Sequence, residues 1–227
     1  MTSPTHSVII PVRNGARHIR ACLDSVLAEL GPDDEVIVTD NGSTDDTVAR
    51  VAAIGDKRIV LLHEERPGPA AARNTAIRAA QGRYICFQDH DDLWPPGRQQ
   101  RLLDALLATP GANAAYGRVR VIFEGPVDPA YAAMDGQYVH LHNFLPALFE
   151  RSLIARTGLL DETMLHGEDV DYLVRLRQAG MVAAACDAIV HIRRRHDSNW
   201  SSADPALVRA STMQILHRNI ARRRART

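Results

Sequence analysis

The chain has 227 residues, enough for one large domain or two small ones with a sizeable core. Its 27 basic and 27 acidic residues cancel, which excludes a global field for nucleic acid or an anionic membrane. The odd number of cysteines (Cys22, Cys86 and Cys186), widely spaced among apolar neighbours, argues for reduced, mostly buried thiols rather than a disulfide framework or a zinc site.

The first hundred residues alternate strand and helix signals. Ser7–Pro11 is a short apolar strand. Between Ala16 and Leu30, the positions Ile19, Cys22, Leu23, Val26, Leu27 and Leu30 form the stripe of an amphipathic helix, which Gly31-Pro32 stops. Val36–Thr39 is a second strand, followed by the turn Asp40-Asn41-Gly42-Ser43. Ser43 or Thr44 is expected to cap the next helix, with Asp45 and Asp46 in its first turn. Ile59–Leu62, the helix Ala70–Ala80 and the strand Tyr84–Gln88 complete the alternation. This pattern predicts an α/β fold: a mostly parallel sheet flanked by helices, with ligands bound at the carboxyl ends of the strands.

Beyond Trp94-Pro95-Pro96 the pattern loosens. A helix is predicted over Gln99–Ala108 and a strand over 114–123. Glu124–His142 is a predicted loop, 144–155 a helix, and Asp169–Ala179 another. Residues 182–192 read as a strand and Arg193–Ser202 as a polar loop, followed by a basic helix over 205–226. No apolar run approaches the roughly 20 residues that span a bilayer, and Met1–Pro11 lacks the pattern of a signal peptide. A cytoplasmic protein is expected.

The strand Tyr84–Gln88 runs into Asp89-His90-Asp91-Asp92. In an extended chain Asp89 and Asp91 share a face and His90 takes the other. Paired carboxylates at a strand end suit a hard divalent cation, whereas a solvated acidic turn needs none. Glu168-Asp169 follows Gly167 at a helix start, where unpaired backbone N–H groups stabilise carboxylates with or without a catalytic role. An Asp-Asn-Gly turn at 40–42 is likewise explicable by turn formation alone.

Six segments occur together and in order: Val8-Ile9-Ile10-Pro11-Val12-Arg13-Asn14, Glu35 to Asp45, Gly68-Pro69-Ala70-Ala71-Ala72-Arg73-Asn74, Asp89 to Asp92, Gly167-Glu168-Asp169 and Arg195-His196. In this the chain resembles the inverting family 2 glycosyltransferases, which have the GT-A fold, over residues 6 to about 202. The resemblance implies a nucleotide-sugar-binding half at 1–97 and an acceptor-binding and catalytic half at 98–202, and the basic C-terminal helix at 203–227 lies beyond it.

The resemblance also implies site roles. Pro11, Val12, Arg13, Asn14, Asp40, Arg73 and Asp89 hold the nucleotide, with Arg73 near the base and ribose, able to pair with Asp40. Many members have an aromatic residue where this chain has Arg13, so a UDP-, dTDP- or GDP-sugar all stay open. Asp91 and His196 match ligands of Mg²⁺ or Mn²⁺, and Arg195 a diphosphate contact. Asp169 matches the general base, with Glu168 orienting the acceptor. Asp92 is expected to be structural and His90 exposed. Acceptor choice is expected to lie in 118–166, where the cluster of His140, His142 and Asn143 carries no assigned role.

A nucleotidyltransferase is disfavoured by the missing early glycine-rich phosphate loop. A catalytically silent homologue that binds sugar nucleotide or a protein partner is the other class. Five arginines and a histidine within 217–226 suggest peripheral contact with the inner face of a membrane, or docking on the protein itself.

Overall fold

The computed structural model describes residues 5–125, 138–139, 143–164 and 166–196, together with Met213, Ile215, Arg218, Asn219 and Arg222. The chain begins β1 (His6–Val12), α1 (Ile19–Leu27), β2 (Glu35–Asp40), α2 (Thr47–Ala52), β3 (Ile59–His63), α3 (Pro69–Ala79), β4 (Tyr84–Phe87) and α4 (Arg98–Ala108). It continues with β5 (Ala114–Phe123), β6 (Tyr138–Val139), β7 (Ala147–Glu150), α5 (Arg151–Thr157), α6 (Glu168–Gln178) and β8 (Ala183–Arg195). The strands form one sheet in the order β3-β2-β1-β4-β7-β5-β6, with β8 paired to β5. β1 pairs in parallel with both β2 and β4, and β2 in parallel with β3. Only β7 separates this parallel block from β5, running antiparallel to each.

Side-chain alternation along the central strands fills both faces, as expected for a sheet covered on two sides. Val8, Ile10, Val36, Val38 and Cys86 pack with Cys22, Leu23, Val26, Leu102 and Leu106 of α1 and α4. Ile9, Ile37, Ile85 and Phe87 pack on the other face with α3, α5 and α6. Small residues at Ala70, Ala71 and Ala72, all buried, form the first turn of α3 where it lies on the sheet. Strand order reverses around β1, whose neighbours β2 and β4 lead the chain in opposite directions. The carboxyl ends of β1 and β4 therefore open a crevice of the kind that receives ligands.

Several elements differ from expectation. Residues 144–155 divide into β7 and α5, because a short buried apolar run serves a strand as well as a helix. β8 continues through Arg193, Arg194 and Arg195, which pair with Val121, Ile122 and Phe123, so these arginines are on a strand and not in a polar loop. β6 gives the 124–142 segment a short pairing with Val119 and Arg120. α2 starts only at Thr47. Ser43 and Thr44 instead bind Asn14, and Asp45 accepts from Thr47 N (3.0 Å) and Ala16 N (3.1 Å). The thiols of Cys22 and Cys86 are buried and that of Cys186 partly so, all three free.

Arg98 knits the second half of the sheet together. Fully buried at the start of α4, it donates to the carbonyls of Val190 (2.9 Å), Ala147 (3.0 Å) and Leu145 (3.3 Å). Its guanidinium lies 3.8 Å from the centre of the Trp94 ring. A lysine has one donor head and cannot span carbonyls from different strands. Arg98→Lys is therefore expected to lower stability by about 2–4 kcal/mol, through stranded buried acceptors. Urea unfolding of the two proteins checks this, and a shared midpoint would contradict it.

Candidate active site

The loops that leave β1 and β2 are laced together. Asn14 sits at φ 52°, a left-handed backbone that asparagine tolerates. Its N–H donates to Ser43 Oγ (2.9 Å), and its side-chain oxygen accepts from Thr44 N (2.8 Å). Asn41 extends the lacing by donating to the carbonyls of Glu64 and Arg66 and accepting from Gly68 N. Pro11 and Val12 are buried in β1, whereas Arg13 and Asn14 are exposed at its end. Asp40 is 4% exposed and faces His63 Nδ1 at 3.3 Å, with Ser43 N also at 3.3 Å. His63, at the end of β3, is a neighbour of Asp40 that the sequence motifs did not single out.

Arg73 does not pair with Asp40. From α3 its Nη2 donates to Asp89 Oδ1 (2.8 Å) and its Nη1 to Glu168 Oε1 (2.7 Å), while its guanidinium lies 5.1 Å from the centre of the Phe144 ring. One buried cation thus joins the end of β4 to the start of α6. Burial alone would raise the Asp89 pKa, but Arg73 outweighs it, helped by His90 and His191, and holds the group below the usual carboxylate range. Glu168 moves the other way: burial raises it, the Asp169 charge adds to this, and Arg73 only partly compensates. Asp169 is also raised, by burial and by Asp89, against the pull of Arg73. Gly167, at φ 74°, precedes this acidic pair in a backbone conformation that suits glycine.

Carboxylate oxygens of Asp89, Asp91 and Asp92 lie within 4.8 Å of one another. The three are not equivalent. Asp92 is 3% exposed, accepts from Arg194 N (2.8 Å) and faces His191 Nε2 (2.8 Å), which supports the structural role expected of it. Asp91 Oδ2 lies 3.2 Å from His196 Nε2. Two carboxylates and an imidazole at one corner form a donor set that fits Mg²⁺ or Mn²⁺. His90 is half-buried rather than exposed, because its ring packs over Gly15, where any Cβ would collide with it. Arg195 ends β8 next to His196.

Two further residues reach this corner unannounced by any motif. His18, at the start of α1, stacks on His196 with ring centroids 4.3 Å apart and faces Glu124 Oε2 at 3.0 Å. Burial, together with Arg194 and His196 close by, pushes the His18 pKa down against the opposing pull of Glu124. His140 and His142 lie outside the described residues, and Asn143 accepts from Leu145 N (3.1 Å). Arg218 pairs with Asp161, and Arg222 donates to Asp171 (2.6 Å), so these two C-terminal arginines dock on the protein. Among the described residues no helix is long and apolar enough to cross a membrane.

Comparison with known proteins bears on this geometry. The succinoglycan biosynthesis protein ExoO of Rhizobium meliloti (strain 1021) is 31% identical over 256 residues, covering 98% of this chain and 73% of that protein. Among solved structures, S. aureus TarS 1-349 in complex with UDP-GlcNAc superposes with a TM-score of 0.74 at 17% identity, over 88% of this chain and 61% of that one. The mannosyltransferase PcManGT from Pyrobaculum calidifontis, in complex with GDP-Man and Mn²⁺, gives 0.64 at 24% identity, over 89% and 60%. The chain thus spans about three-fifths of the length of these two solved proteins, which share its GT-A fold. The model of the family described as Glycosyl transferase family 2 matches residues 7–158. With two-thirds of its length matched by the family model, the chain belongs to glycosyl transferase family 2 and is a glycosyltransferase.

Proposed function

We propose that the chain moves one sugar from a nucleotide diphospho-sugar to an acceptor hydroxyl, with inversion at the anomeric carbon and with Mg²⁺ or Mn²⁺ bound. The observation that carries this reading is the Arg73 bridge, which sets Asp89 and the Asp91 corner beside Glu168 and Asp169. A donor site and a candidate base thus share one crevice. The same division supports residues 1–97 as the nucleotide-sugar half and 98–202 as the half that supplies acceptor contacts. Nucleotide sugars bound to the two solved relatives favour a donor of the same class, UDP-, dTDP- or GDP-linked.

In this mechanism Asp40 accepts from the base or ribose, with Pro11, Val12, Arg13 and Asn14 beside it. Asp91 and His196, supported by Asp89, would hold the divalent ion, which supplies charge neutralisation at the leaving diphosphate. Arg195 adds positive charge at the same edge. Asp169 takes the acceptor hydroxyl proton as the new bond to the anomeric carbon forms and the bond to the diphosphate oxygen breaks. Glu168, fixed by Arg73, orients the acceptor. One base opposite one leaving group suits a single displacement, hence inversion. A cytoplasmic location fits the use of nucleotide sugars, and the pairing of Arg218 with Asp161 and of Arg222 with Asp171 supports docking of these arginines on the protein.

A ligand that binds only the folded state raises its apparent stability. Thermal melting with Mn²⁺ and UDP, dTDP or GDP should therefore single out one nucleoside diphosphate, and release of that nucleotide from its sugar conjugate separates an enzyme from a silent binder. Asp91→Ala is expected to abolish metal-dependent nucleotide binding without unfolding the chain. Calorimetric affinity equal to that of the unaltered protein would remove Asp91 from the site. Asp169→Asn should keep nucleotide binding and lower turnover by a factor of about 10²–10⁴. Because the base must be ionised and its pKa is raised, activity should fall on acidification at a pH above the ordinary aspartate value of about 4. That acid limb of kcat/KM should vanish in Asp169→Asn, and its persistence would assign the base elsewhere.

A further inference from the structure

Behind the Asp91 corner lies a polar layer built from four separate parts of the chain. His18 comes from the start of α1, Glu124 from just beyond β5, Arg194 from the end of β8 with His196 just beyond it, and Asp91 from the loop after β4. Glu124 Oε2 faces His18 Nε2 at 3.0 Å and Arg17 Nη2 at 3.4 Å, while its Oε1 accepts from Arg194 Nη1 at 3.4 Å. Its backbone N–H donates to the Arg195 carbonyl (2.8 Å), pinning the ends of β5 and β8 together. Arg194 in turn donates through Nε to the Asp91 carbonyl and through its backbone N to Asp92 Oδ1.

His196 is the first residue beyond β8, so no strand register fixes its ring. Its side chain is only 4% exposed, and that of His18 6%. The His18 ring closes one face of His196, and Glu124 fixes the plane of His18. An apolar residue at 18 would fill the same space without the desolvation that a buried imidazole suffers. A histidine held by a carboxylate adds a fixed orientation, which a ligand imidazole needs from its surroundings.

We infer that His18 and Glu124 are positioning residues that hold His196 toward Asp91 and thereby set the affinity of the metal and diphosphate corner. This rests on the donor-site reading above and extends it to two residues outside the family motifs. Glu124 acts through His18 and Arg194, and His18 through its ring contact with His196.

The test is titration of Mn²⁺ into the full chain, with whichever of UDP, dTDP or GDP most raises its melting temperature, followed by calorimetry and by the Mn²⁺ paramagnetic resonance spectrum. His18→Phe keeps an aromatic ring of similar bulk but cannot bond Glu124, and Glu124→Gln keeps the shape but loses the charge. Each is expected to weaken Mn²⁺ binding by about 10–100-fold and to alter the bound-ion spectrum. Melting without metal should change far less. Binding within twofold of the unaltered protein in both variants, with unchanged spectra, would overturn the inference while leaving the donor site standing. Absence of Mn²⁺ uptake by the unaltered chain with all three nucleotides would overturn both.

Discussion

The Arg73 guanidinium, lodged between Asp89 and Glu168, is the interaction on which the rest of the site depends. Three carboxylates, the half-buried Asp89 and Asp169 and the nearly buried Glu168, meet at one corner of the crevice, and without a cation between them they would repel. The side chains of Arg73 and Glu168 are nearly buried, and removing one partner of such a pair leaves an uncompensated charge. Arg73 also divides the carboxylates by protonation tendency. It holds Asp89 down, yet cannot fully offset burial at Glu168 and Asp169. Unequal environments of this kind assign unlike roles to like groups.

A second constraint brings the late part of the chain to the early part. Leu93 and Ile192 exchange backbone hydrogen bonds, Asp92 holds His191 and the Arg194 backbone, and Arg98 binds carbonyls before β7, on β7 and on β8. These links deliver Arg194, Arg195 and His196 to the carboxyl end of β4. They also explain why the acidic run after β4 divides its labour. Asp92 turns inward, raised by burial and by its acidic neighbours against the pull of His191, and serves as an internal acceptor. Asp89 and Asp91 remain at the crevice.

Much of this was legible in the sequence. The alternation through residue 97, the glycine and proline stops and the ordered motifs are local signals, and the structure returns β1 to β4 within a few residues of their expected bounds. What escaped depends on distant partners. Arg193 to Arg195 look like a solvated loop because charge suggests exposure, yet β5 pairing and Glu124 make them part of a strand. The pairing of His18 with Glu124 spans 106 positions and carries no periodic mark. The resemblance puts Arg73 near the base and ribose, able to pair with Asp40, but the fork reaches Asp89 and Glu168 because α6 begins beside it.

Charge alone leaves the C-terminal arginines two kinds of partner, lipid or protein. Five arginines near the chain end suggest a cationic surface, each contributing about 1 kcal/mol beside an anionic leaflet. Arg218 and Arg222 are four residues apart, so on a helix they share a face, and that face meets Asp161 and Asp171. The Asp171 side chain is fully buried and also receives Arg175. Arg222 thus adds a second cation to a carboxylate in a desolvated setting, where losing a partner is costly. Asp171 lies two residues after Asp169 on α6. Arg222 therefore ties the C-terminal segment to the element whose first turn carries the candidate base.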